Sequence, residues 1–137
     1  MVQVSAITTR ALELIRVRVG SQPVDTDDSD RALAAYNNLM HGIGFDLSLT
    51  DAAGTAITIA DQTLTDTFPL ADHHREGISA ILARAIAPDF KRTLSPEAFA
   101  AVKTGVERLN ADFMPNMEAT LDTGVTRSPS RYNWYAW

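Results

Sequence analysis

Asp72-His73-His74 is the stretch whose residue types come closest to chemistry, since imidazoles and a carboxylate can hold zinc or move a proton. On an α-helix successive side chains point about 100° apart, so His73 and His74 are not expected to ligate one metal side by side. His74 also falls on an apolar stripe, which predicts a hydrogen-bonded core or interface histidine. A second candidate is PVDTDDSD, where Asp25 and Asp27 have the spacing of the first two ligands of a calcium loop. That loop needs glycine where Asp30 stands and glutamate where Tyr36 stands. The segment therefore reads as a helix start, with Thr26 or Asp28 as cap and acidic residues on the helix dipole. Gly42-Ile43-Gly44 lacks the third glycine and the preceding strand of a nucleotide fingerprint. There is no cysteine, and no GxSxG, Walker or HExxH motif. No catalytic, cofactor-binding or metal-ligating residue is assigned, and the chain is not expected to be an enzyme.

A chain of 137 residues fits one domain with a sizeable core. A hydrophobic fraction of 45% and a charged fraction of 21% are an ordinary globular balance. The formal charge of −5 argues against a broad surface that grips nucleic acid, which requires a basic stripe, though a local basic patch stays open. The first residues lack a charged region followed by a long apolar run, and no stretch approaches the ~20 apolar residues of a membrane span. The expectation is a soluble protein made in the cytoplasm, without a signal peptide.

Periodicity predicts an all-α chain, an antiparallel bundle of about four helices with an excursion between the second and third. Helix one is expected over 5–17, capped by Ser5, striped by Ile7, Ala11, Leu14 and Ile15, and closed by Gly20 and Pro23. Helix two is expected over 28–40, with Ala32, Leu33, Tyr36, Leu39, Met40 and Ile43 buried and Gly42 and Gly44 as its stop. His41 would then interact with its last carbonyls. From Phe45 the period turns to alternation, with Phe45, Leu47 and Leu49 on one side, and a turn over 51–54 leads into β-branched Ile57, Thr58 and Ile59. Residues 45–67 thus read as a small β-hairpin or extended excursion that carries contacts.

Residues 68–90 hold the central helix, with Ala71, His74, Ile78, Ile81, Leu82 and Ala85 on its core face and Gly77, Ala80 and Arg84 on an adjoining stripe. Pro88 stops it. Ser95-Pro96 starts helix four, which is expected to run to 112 along Phe99, Val102, Val106, Leu109 and Phe113. Gly105 lies mid-helix, which predicts a close crossing with the Gly77/Ala80 stripe. Residues 1–114 form the helical domain in this division, and 115–137 an extended docking tail. That tail lacks periodicity, yet four of the chain's ten aromatics, Tyr132, Trp134, Tyr135 and Trp137, lie in its last six residues behind Arg127 and Arg131. A solvated tail is depleted in such residues, whereas Tyr, Trp and Arg anchor interfaces. These six are the candidate partner-binding residues; folding back on the chain's own helices is the other use open to them.

The order of these features resembles the head-to-tail adaptor (connector) proteins of tailed bacteriophages, in particular the tail-accessory, packaged-DNA-stabilising proteins of short-tailed phages. The resemblance runs from about Ser5 to Phe113, through ITTRALELIRV, a Pro/acid linker, RALAAYNNLMHGIG, an excursion, FPLADHHREGISAILARAIAPDF and a last helix beginning LSPE. Ala32, Leu33, Tyr36, Asn37, Leu39 and Met40 match the family's second helix, and Phe68, Pro69 and Leu70 its lead into the third. Ala71 stands where a second proline is common, and His41-Gly42 where an aromatic is usual. The resemblance implies a virion protein at the head-tail junction, assembled in the host bacterial cytoplasm. It would form a homo-oligomeric ring, dodecameric in such families, beneath the portal protein. The ring would extend the channel for packaged double-stranded DNA without binding it specifically, present a surface to a tail or stopper protein, and involve no membrane. An acidic subunit suits such a channel. The alternative is a small helical DNA-binding or regulatory domain, for which helices three and four offer Lys103 and Arg108. A metal protein or enzyme built on Asp72-His73-His74 is a third reading.

Overall fold

The computed structural model of the chain describes residues 2–20, 22–51 and 53–115. The described residues are mostly helical, with four α-helices among them: α1 Val4–Leu14, α2 Thr26–Asp46, α3 Arg75–Ile86 and α4 Pro96–Asp112. Among the described residues the extended chain that pairs as strands amounts to Leu47–Ser48 (β1) and Met114–Pro115 (β2), an antiparallel two-residue ladder.

The central helix is placed as its sequence predicts. Residues Gly77 to Ala83 and Ile86 are all buried, so α3 is wrapped on more than one face by α1, α2 and α4. The finer face assignment needs correction. Ala85 is exposed and Arg84 half-buried, because a helix covered on several sides turns only its narrow remaining strip to water. Where α3 crosses α4, a Cβ added at Gly77 would lie 2.7 Å from the Gly105 Cα, and one added at Gly105 would lie 2.6 Å from the Gly77 Cα. The expected close crossing is present, and it admits no side chain on either helix. Ser95 caps α4 as expected, its hydroxyl accepting from the Ala98 N–H at 3.2 Å. Phe99 departs from the expected stripe at 52% exposed, the buried side of that first turn being taken by Ala98.

Helix α1 starts one residue before its expected cap, and Ser5 caps nothing. Its first free N–H groups are satisfied by the excursion instead: Val4 donates to the Asp66 carbonyl and Ser5 to the Leu64 carbonyl, both at 2.9 Å. Its end also differs. The helix stops at Leu14 with Arg16 left-handed at φ 61°; Gly20 is left-handed as expected, at φ 66°, but lies well past the helix end.

Helix α2 runs through Gly42 and Gly44 to Asp46, so the glycines do not stop it. At Gly44 the reason is packing: an added Cβ would lie 2.7 Å from the Ile59 Cγ1. Residues 37, 41 and 44 share one face of α2, and the excursion is laid along them in reverse order. Asn37 meets Gln62, His41 meets Asp61 at 2.8 Å, and Gly44 meets Ile59. His41 therefore pairs with the excursion and not with terminal carbonyls. Phe45 belongs to the last turn of α2 and is 73% exposed, so the alternation begins only at Leu47, which is buried with Leu49. The hairpin tip is as expected: Thr50 bridges Ala56, and the Asp51 Oδ1 accepts from the N–H groups of Ala53 and Thr55.

The Asn37 amide acts as a strand partner. Its Nδ2 donates to the Gln62 carbonyl at 3.0 Å, and its Oδ1 accepts from the Gln62 N–H at 2.9 Å. Asn37→Ala leaves both half-buried backbone groups without that partner and is expected to cost about 1–3 kcal/mol. Urea unfolding measures the loss, and faster amide exchange around Gln62 than in α3 places it.

Candidate functional site

Three titratable side chains converge where the excursion enters α3. Ala71 ends the extended Phe-Pro-Leu lead-in, and its carbonyl accepts from the His74 N–H at 3.0 Å, closing a 3-10 turn over Asp72–His74. Opposite this turn stands the last residue of α4, Asp112. The His73 Nε2 lies 2.5 Å and the His74 Nε2 2.8 Å from the same Asp112 Oδ2, and the ring centroids are 4.1 Å apart. The expectation that the two rings point apart is thus corrected. Angles on a helical wheel describe where side chains leave the backbone, whereas the far nitrogens of two imidazoles can turn to a common point supplied by another element.

His74 is 2% exposed, as its place on the apolar stripe predicts, and its ring centroid lies 5.2 Å from that of Phe113. Burial lowers its pKa below the ordinary histidine value, the neighbouring His73 adds to that, and Asp112 opposes it. The hydrogen bond from His73 is the main cause holding the Asp112 carboxyl below its ordinary value. His73 is 57% and Asp112 41% exposed by side chain, so the cluster has a buried floor and an open rim. It contains one buried imidazole, one solvated imidazole and a carboxylate.

A second feature is a cleft of about 430 Å³ between the ends of α1 and α3 and the start of α4, with Arg16, Lys91, Arg92 and Ser95 among its lining. Arg16 and Lys91 both have left-handed backbones, at φ 61° and 53°. This local basic patch in an acidic chain was not legible in sequence, because its parts are 75 residues apart and no pattern links them.

The six predicted partner-binding residues, Arg127, Arg131, Tyr132, Trp134, Tyr135 and Trp137, lie outside the described residues. The last described backbone, β2, is fixed against β1, with Pro115 opposite Leu47 and Met114 opposite Ser48. The acidic 25–30 segment forms the start of α2, with Asp27 and Asp28 in its first turn and no capping side chain. Lys103 and Arg108 are both exposed on α4. No helix among the described residues is long and apolar enough to cross a membrane. No family model, no curated protein and no solved structure matches this chain.

Proposed function

We propose that this chain is a structural assembly protein, a head-to-tail adaptor of a tailed bacteriophage that binds the portal as a homo-oligomeric ring and presents a surface for tail attachment. The observation that carries the reading is how the chain uses the residues of the resemblance. Ala32, Tyr36, Met40, Phe68 and Leu70 all lie in one buried core, and none of them belongs to a chemical site. A motif spent on packing describes a scaffold. In this reading the four helices are an antiparallel bundle, residues 45–67 are a contact-bearing excursion pinned along α2, and 115–137 is a docking tail. The exposed Phe45 and Phe99 add apolar surface of the kind subunit contacts cover. Electron microscopy of the purified chain mixed with the portal protein of the same phage is expected to show rings stacked on portals. A chain that stays unbound to portal would refute the proposal.

One observation favours a second reading, a small helical DNA-binding domain: Arg16, Lys91 and Arg92 gather around one cleft. Three cations on a chain of net charge −5 make a narrow footprint, and three neutralised phosphates would give a log–log salt slope of about −3. Submicromolar duplex binding with a slope that falls when Arg92 is replaced by alanine would favour it over the adaptor.

A further inference from the structure

We infer that His73, His74 and Asp112 form a binding site for a transition-metal dication of the zinc class. This site does not rest on the adaptor reading, and either stands if the other fails. One ligand atom from each of the three residues lies within 4.8 Å of the other two. Two imidazole nitrogens face the same carboxylate oxygen at 2.5 and 2.8 Å. Around tetrahedral zinc, with bonds of about 2.0–2.2 Å, donor atoms stand roughly 3.3 Å apart. Seating the ion therefore spreads the two short contacts by less than about 1 Å, within reach of side-chain rotation.

The donor set selects the class. Two imidazoles and one carboxylate suit zinc, copper, nickel or iron, whereas calcium and magnesium require shells of oxygen. The position of the three residues favours a defined site over a chance surface pair. His74 is buried and held by the 3-10 turn and by Phe113, and Asp112 is fixed at the end of α4. His73 and the rim of Asp112 are exposed, which leaves a path from solvent and an open coordination position. An ion here would tie the start of α3 to the end of α4, next to the point where the backbone passes into β2.

The test uses the full chain without a histidine tag, dialysed against EDTA and titrated with zinc sulfate by calorimetry. One equivalent is expected to bind with Kd of about 10 µM or tighter, with calcium in ~100-fold excess leaving the titration unchanged. His73→Ala, at an exposed position, should keep the far-UV circular dichroism and weaken binding at least about tenfold, because one of three ligands is gone. Asp112→Asn, which keeps the shape of the side chain, should do the same. His41→Ala, on α2 beside Asp61, should bind zinc as the parent does. Absence of stoichiometric binding at ~100 µM zinc, equal binding by the folded His73→Ala and Asp112→Asn chains, or loss in His41→Ala alone would overturn the inference. The first of these would leave the cluster a hydrogen-bonded triad only.

Discussion

Gly105→Ala is expected to destabilise the chain by about 1–2 kcal/mol, although alanine is the better helix former. Two effects compete. In an open helix the substitution gains about 1 kcal/mol of propensity. Here the new Cβ would sit 2.6 Å from the Gly77 Cα and 3.1 Å from the Gly77 carbonyl oxygen, so it meets backbone that no rotamer change can move. The helices must separate, and the packing of α3 against α4 loosens along its length. Overpacking of this kind costs about 1–3 kcal/mol, and here the full cost of parting two backbones is expected to exceed the propensity gain. Gly77→Ala should behave alike. The double variant should cost less than the two singles added, since one Cβ already forces the helices apart. Gly42→Ala is the internal control: nothing lies within 4 Å of its added Cβ and its φ is not left-handed, so it should stabilise by about 0.5–1 kcal/mol. Urea melts of the four variants test the sign as well as the size, and a stabilised Gly105→Ala chain would remove the close crossing from the account of the fold.

Tyr36→Ala is expected to be still more damaging, about 3–5 kcal/mol, against a total stability of roughly 5–15 kcal/mol for a domain of this kind. Tyr36 is fully buried and leads the largest of the enclosed side chains. Its hydroxyl donates to the Gln62 Oε1 at 2.8 Å, so the same residue fills the core and holds the excursion. Burial raises its phenol pKa far above the ordinary tyrosine value. Tyr36→Phe separates the two roles. It keeps the ring and removes one hydrogen bond to a half-buried partner, for a cost of about 1 kcal/mol. Hydrogen exchange should show 59–67 opening in the phenylalanine variant while α3 stays protected. Equal losses in the two variants would mean that the hydroxyl, and not the ring, carries the stability.

The helical parts of this fold were legible in sequence where the signal was local. Ser95-Pro96 announces α4 to the residue, because a cap and a first-turn proline act within one turn. The Gly77–Gly105 crossing was legible because a glycine inside a strong helix, facing a stripe of small residues, needs a reason to be there. The misread glycines show the limit. Gly42 and Gly44 have the residue type of a helix stop, but about 1 kcal/mol each is outweighed by the excursion packed along α2. Ser5 was misread for a similar reason: the helix begins before it, because the first N–H groups, on Val4 and Ser5, are met by carbonyls some 60 residues away.

The His73–His74–Asp112 cluster lay beyond the reach of periodicity altogether. Its third member sits on another helix, and a 3-10 turn replaced the assumed α-helical geometry. The carboxylate that meets both rings is Asp112, and not the sequence neighbour Asp72. The basic cleft is a similar case, since only folding brings Arg16 beside Lys91 and Arg92.

In the adaptor proposal, assembly runs through the aromatic end of the chain, on a scaffold built from α1 to α4. Its most direct measurement is sedimentation of portal rings with the full chain and with a chain lacking residues 130–137. The full chain is expected to co-sediment at a fixed ratio to portal. The shortened chain, checked to be folded by circular dichroism and thermal melting, should stay in the supernatant. Equal co-sedimentation of both chains, or of neither, would contradict it.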